Sequence, residues 1–165
     1  MNLQEFLGRG GIEFELLEHA TTYDAQHLAD AICISGYPVA KTVLLRVDND
    51  QYVIAVLPST HNVVLEKVQA VLMAKSVELA NEEEIENRFP DCELGALPPF
   101  GSYYGMTTLV DKTLMQDEKI VFEGTTHKEA LRMSYDDFAR LEEPLVGSFA
   151  QRIATPSPVP EERNP

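Results

Sequence analysis

Covalent and metallic reinforcement are almost absent from this chain. It contains two cysteines, Cys33 and Cys92, far apart, with no CxxC pair and no histidine close enough to complete a ligand cluster. Reduced structural thiols are the expected reading. Long apolar runs are missing as well. No stretch approaches the ~18 residues of a membrane span, and the N-terminal MNLQEFLGRGG has no basic start leading into an apolar segment. A soluble, cytoplasmic protein without a membrane partner is expected. Basic residues are scarce: 13 Lys and Arg stand against 27 Asp and Glu, for a formal net charge of -14. Such a surface opposes any partner held along its phosphates, which speaks against DNA and confines an RNA contact to a local pocket. Signature motifs are lacking too. Without GxSxG, a Walker loop, HExxH or GxGxxG, the serine hydrolase, P-loop, zincin and Rossmann readings have no support.

What remains is the material of one domain. A chain of 165 residues buries roughly 70% of its unfolded surface and needs no staple. Residues 1–7 read as a short helix ended by glycines, and Ile12 to Leu17 as a strand. Thr22 with Asp24 starts a helix that Gly36 and Pro38 end. Thr42–Val47 and Tyr52–Leu57 are β-branched, apolar runs around Asp48, Asn49, Asp50 and Gln51, the pattern of a hairpin with a four-residue turn, and both are too apolar for an open edge. Ser59 or Thr60 is expected to cap a helix with Val64, Leu65, Val68, Val71 and Leu72 on one face. A strand near Val77–Leu79, a capping box from Asn81 to Glu84, a loop Pro90–Gly105, strands at Thr107–Val110 and Lys119–Glu123, and a helix near Ser134–Leu141 complete the folded part. From Ala154 the Pro-rich tail is expected to be disordered, leaving residues 1–153 as the domain.

Three places carry more than a scaffold needs. Lys41 lies at the mouth of a strand fit for the middle of a sheet, where a lysine either snorkels to solvent or aims its charge into a pocket. In GALPPFG, Gly95 to Gly101, glycines bracket prolines and Phe100; such a loop is either a rigid turn or a wall with exposed amides that holds an ester carbonyl or an amine. His127, in the polar loop EGTTHKE, is either solvated or a proton shuttle, and His19 has similar standing. His27 and His61 read as helix-surface residues.

Taken in order, EHATTYDA from Glu18, VAKTVLLR from Val39, YVIAVLP from Tyr52, GALPPFG from Gly95 and the strand end Val110–Asp111 resemble the YbaK-like family, which includes the editing domain inserted in bacterial prolyl-tRNA synthetases. The resemblance runs from about Ile12 to Phe138. It implies a mixed α/β single domain with a central, mainly antiparallel, curved sheet and surrounding helices. It also implies hydrolysis of the ester joining a wrong amino acid to tRNA. The family's functional lysine matches Lys41, and its GxxxP loop matches Gly95 through Pro99. Lys41, Gly95 and His127 are therefore the catalytic candidates. Pro98, Pro99, Phe100, Gly101, His19 and Thr42 are the substrate-binding ones. Where relatives carry an HPLxN-like stretch this chain has GTTHKEAL, so His127 matches loosely.

An aminoacyl ester is already activated, so the implied reaction needs orientation and polarisation rather than an enzymic nucleophile, metal or cofactor. The implied partner is the acceptor 3' end of an aminoacyl-tRNA. A synthetase or elongation factor is a second partner able to carry the RNA. Two other classes stay open: a non-catalytic module of the same fold that binds an aminoacyl or nucleotide ligand, and a metallohydrolase using His127 and His19 with acidic residues.

Overall fold

The computed structural model describes residues 2–18 and 39–153. The helix expected from Thr22, together with His19, His27, Cys33 and the Pro-rich tail, lies outside the described residues.

Helix α1 (Leu3–Arg9) starts where the Asn2 side chain accepts from the Glu5 N–H, and it buries Leu3 and Leu7. Strand β1 (Phe14–Glu18) follows. The hairpin forms as its apolar runs require, from β2 (Ala40–Val47) and β3 (Gln51–Pro58), in register Val47 to Gln51. Its turn is three residues long, because Asp48 and Asn49 adopt φ of 51° and 72°, the left-handed region that these two residue types tolerate. Strands β5 (Val77–Leu79), β6 (Thr107–Asp111) and β9 (Leu145–Gly147) extend the hairpin into a sheet of order β5-β2-β3-β6-β9. Both hairpin strands are thus interior, as their composition demands. The β3–β6 and β6–β9 pairings are parallel, so this sheet is mixed.

A second, antiparallel sheet of order β1-β8-β7 is built from β1, β7 (Lys119–Glu123) and β8 (Glu129–Ser134). A parallel bridge from Val39 to Val121 joins the two sheets. One apolar cluster, with Leu44, Ile54, Val56, Phe100, Phe122 and Phe138, fills one side of the hairpin. A second, with Leu45, Val53, Leu57, Val68 and Phe149, fills the other.

The helix after the hairpin corrects the expected cap. Neither Ser59 nor Thr60 begins it: His61–Val63 form strand β4, paired with β10 (Ala150–Arg152), and helix α2 (Leu65–Leu72) starts at Val64 without a side-chain cap. His61 is therefore a strand residue. Helix α3 (Glu82–Arg88) has the expected capping box between Asn81 and Glu84. Helix α4 (Tyr135–Glu142) is capped by Ser134. Among the described residues four α-helices surround the sheets, and none is long and apolar enough to cross a membrane.

Candidate active site

Strand alternation separates two of the expected site residues. Lys41 shares its side of β2 with Val43 and Leu45, which pack in the second cluster, whereas Thr42 shares the other side with Ala40 and Leu44, in the first. The Thr42 Oγ1 is buried and has no hydrogen-bond partner among the described residues. Lys41 is half-buried and pairs across the hairpin with Leu57. The Ser59 N–H, beyond the end of β3, donates to the Val39 carbonyl at 2.8 Å and ties off this end of the hairpin. Two residues beyond the Val39–Val121 bridge, on neighbouring strands, stand Lys41 and Glu123. The bridge thus brings an amine-bearing position and a carboxylate-bearing position to one end of the joined sheets.

Glu123 is 4% exposed and His127, in the loop between β7 and β8, is 8% exposed. Burial rather than solvation is the finding for this loop histidine. Its Nδ1 stands 3.3 Å from Glu123 Oε2. Its Nε2 lies 2.5 Å from the Leu94 carbonyl oxygen. A carbonyl only accepts, so Nε2 carries a hydrogen and donates it. In addition, the His127 N–H donates to Glu93 Oε2 at 2.9 Å and the Glu93 N–H to the Thr125 carbonyl at 2.8 Å. Both ring nitrogens are therefore turned to protein groups. The imidazole expected as a proton shuttle is placed as a clamp on the segment Glu93–Gly95.

That segment opens GALPPFG. Gly95 is exposed with φ of 87°, a conformation that suits glycine, and Leu94 beside it is 44% exposed. Among the described residues the Gly95 N–H has no acceptor. Behind it the loop turns inward, and Pro98, Pro99, Phe100 and Gly101 are all buried. The Phe100 ring meets Phe6, Phe122 and Phe138 edge-on in the core. A Cβ on Gly101 would fall 2.5 Å from Thr108 Oγ1 and 2.6 Å from the Met106 carbonyl, so only glycine fits there. These four residues, expected as substrate contacts, form the backing of the loop, and Gly95 is the part that reaches the surface.

The far end of the loop is clamped as firmly. The Gly101 N–H donates to Thr108 Oγ1 at 2.9 Å, and Glu142 at the end of α4 accepts from the Ser102 hydroxyl at 3.1 Å and the Ser102 N–H at 3.3 Å. Burial pushes the Glu142 carboxyl up to about 7, against the opposing pull of the Ser102 and Thr108 hydrogen bonds. Cys92, just before the loop, contacts the Tyr104 hydroxyl at 3.1 Å, and burial pushes its thiol up to about 12. Asp111 at the end of β6 is a structural clip. Its Oδ1 accepts from the Phe149 and Ala150 N–H groups at 2.9 Å each, and its Oδ2 from the Thr113 hydroxyl at 2.6 Å. Burial would raise its carboxyl, but these bonds outweigh it and hold the pKa below the usual carboxylate range.

An open cleft of about 560 Å³ lies elsewhere, lined among others by Glu15, Lys119 and Arg132. Both its cations face Glu15, and Glu13 and Asp137 also line it, so its carboxylates outnumber its cations. Among the described residues no group of three or more His, Cys, Asp and Glu side chains is arranged to hold a metal ion.

Sequence reasoning missed Glu123 and Glu93. For Glu123 there was a signal, an acidic residue ending the apolar strand KIVFE four positions before His127. For Glu93 there was none, since its role depends on two loops meeting.

No curated protein sequence matches the chain. Among solved structures it is similar to hypothetical protein APE2540, at 17% identity and a TM-score of 0.82 over 90% of this chain and 99% of that one. It is also similar to a protein proposed as a trans-editing enzyme for prolyl tRNA synthetase, at 16% identity and a TM-score of 0.79 over 90% and 94% of the two chains. At these identities the likeness establishes the fold. A sequence model of the aminoacyl-tRNA editing domain matches residues 19–141, three quarters of the chain, and the chain therefore belongs to the aminoacyl-tRNA editing domain family.

Proposed function

We propose that this protein is a trans-editing deacylase of the YbaK-like kind, which hydrolyses the ester of a mischarged aminoacyl-tRNA bearing a small amino acid. The observation that carries this reading is the Leu94–Gly95 peptide. Gly95 is exposed, its N–H has no acceptor among the described residues, and the Leu94 carbonyl is held from behind by His127. A fixed amide at a surface mouth is the kind of donor that stabilises an oxyanion as water attacks an ester. Lys41 supplies the positive charge, toward either the terminal phosphate of the acceptor end or the developing oxyanion. The vicinal ribose hydroxyl assists water, so no protein nucleophile is required. Half-exposed Leu94 forms an apolar lip, and selection among acyl groups by such a surface is limited to ~1–3 kcal/mol per methylene.

Lys41→Ala tests the reading. A charge partner in a dry site contributes ~3 kcal/mol to the transition state, so the single-turnover deacylation rate is expected to fall about a hundredfold with unchanged melting. A rate within threefold of wild type would remove Lys41 from the site.

A further inference from the structure

We infer that Glu123 is a positioning residue of the editing site, acting through His127 to fix the Leu94–Gly95 peptide so that its N–H faces outward as an oxyanion donor. The inference rests on the proposed deacylase reading and assigns the buried pair a task within it. His127 Nε2–H donates to the Leu94 carbonyl, and peptide planarity then directs the Gly95 N–H to the opposite side, away from His127. Gly95 itself is exposed. The same hydrogen bond polarises the peptide and strengthens its N–H as a donor.

The imidazole can serve in this way only in one orientation and with Nε2 protonated. The Leu94 carbonyl calls for the hydrogen on Nε2, and the Glu123 carboxylate, whose Oε2 stands 3.3 Å from Nδ1, bears on the ring's orientation from its other edge. Two further bonds show that the loop is built to be held here. The Glu93 carboxylate accepts from the His127 N–H, and the Glu93 N–H donates to the Thr125 carbonyl, so with the Leu94 bond three hydrogen bonds strap Glu93 and Leu94 to the β7–β8 loop. A buried acid at the end of β7 has an interior alternative, a plain apolar residue, that would avoid the cost of desolvating it. Its place beside His127 gives the carboxylate an orienting task.

The test uses the full chain with Glu123→Gln, His127→Gln and the double variant. Glutamine at 127 removes the ring that Glu123 is inferred to orient. In the free protein, the backbone amide resonance of Gly95 and the ring N–H resonance of His127 are expected to shift in Glu123→Gln, a readout independent of catalysis. In single-turnover deacylation, Glu123→Gln is expected to lower kcat at least tenfold with KM within twofold. His127→Gln is expected to lower kcat as well, and adding Glu123→Gln to it should change little more. An unmoved Gly95 resonance, a loss confined to KM, or equal losses in the two backgrounds would overturn the inference. Should Glu123→Gln fail to fold, His127→Gln still decides, since the inference requires that variant to move the Gly95 amide resonance and lower kcat, and an unmoved resonance would overturn it. If wild type deacylates nothing, the proposed reaction fails, and the Gly95 resonance alone decides whether Glu123 orients the peptide.

Discussion

Glu142 shows how a single carboxyl ties the site to the rest of the molecule. It sits at the negative end of α4, buried, with its proton retained up to about 7. The folded value lies above the 4.5 of the unfolded group, so ionisation opposes folding. Its contribution to stability is complete below the unfolded value and is lost as pH rises through the folded one. Thermal melts from about pH 5 to about pH 8 should therefore show a fall that Glu142→Gln flattens, by roughly 1–3 kcal/mol at the alkaline end. Identical pH profiles would show that Glu142 is solvated in solution. Cys92 gives a second residue-scale expectation. With its thiol pushed up to about 12 and packed on Tyr104, its thiolate is negligible near neutral pH. Peptide mapping after brief alkylation of the native protein should find Cys92 unmodified, and rapid labelling there would contradict its placement.

At the scale of elements, Asp111 joins β6 to the segment leading into β10 and to the turn after β6, four donors meeting one carboxylate. Asp111→Asn replaces an acceptor oxygen by an amide nitrogen that confronts N–H groups. It is expected to cost roughly 1–3 kcal/mol in denaturant unfolding, without affecting Lys41 or Gly95 directly. Because burial and bonding leave the Asp111 pKa lowered, the wild-type clip gives stability present above the unfolded value of 3.8 and lost as pH falls through the still lower folded value.

The elements that sequence reasoning reached were those with local causes. The hairpin has two apolar runs around turn-forming Asp48 and Asn49, and α3 has its capping box within four residues. Strand β8 escaped because Ala130 and Leu131 are adjacent and both buried, which breaks the period-2 signal of a one-sided strand. The expected cap at Ser59 or Thr60 failed because β10, nearly ninety positions later in the chain, pairs with His61–Val63 and makes them a strand. The site divides along the same line. Lys41 and the glycine loop were visible as departures from scaffold chemistry, whereas the Glu123–His127–Leu94 clamp exists only once three segments meet.

For the whole molecule the governing fact is charge. A surface with a net -14 is expected to repel the body of a tRNA and to leave a small phosphate footprint near Lys41. The slope of log affinity against log salt should correspond to roughly one to three phosphate contacts, and an acceptor-stem mimic should serve nearly as well as full tRNA. A steep slope with tight binding would reveal a basic face that folding assembles from scattered residues. The central claim is more direct than its electrostatics: a domain of the editing family uses a fixed amide and a lysine to hydrolyse aminoacyl esters. It is tested by incubating the purified protein with a panel of radiolabelled mischarged tRNAs, with and without a chelator. The account predicts release of the amino acid from at least one substrate with a small side chain such as alanine, faster than buffer and unchanged by the chelator. Hydrolysis no faster than buffer across the whole panel would contradict it and leave a binding module of the same fold.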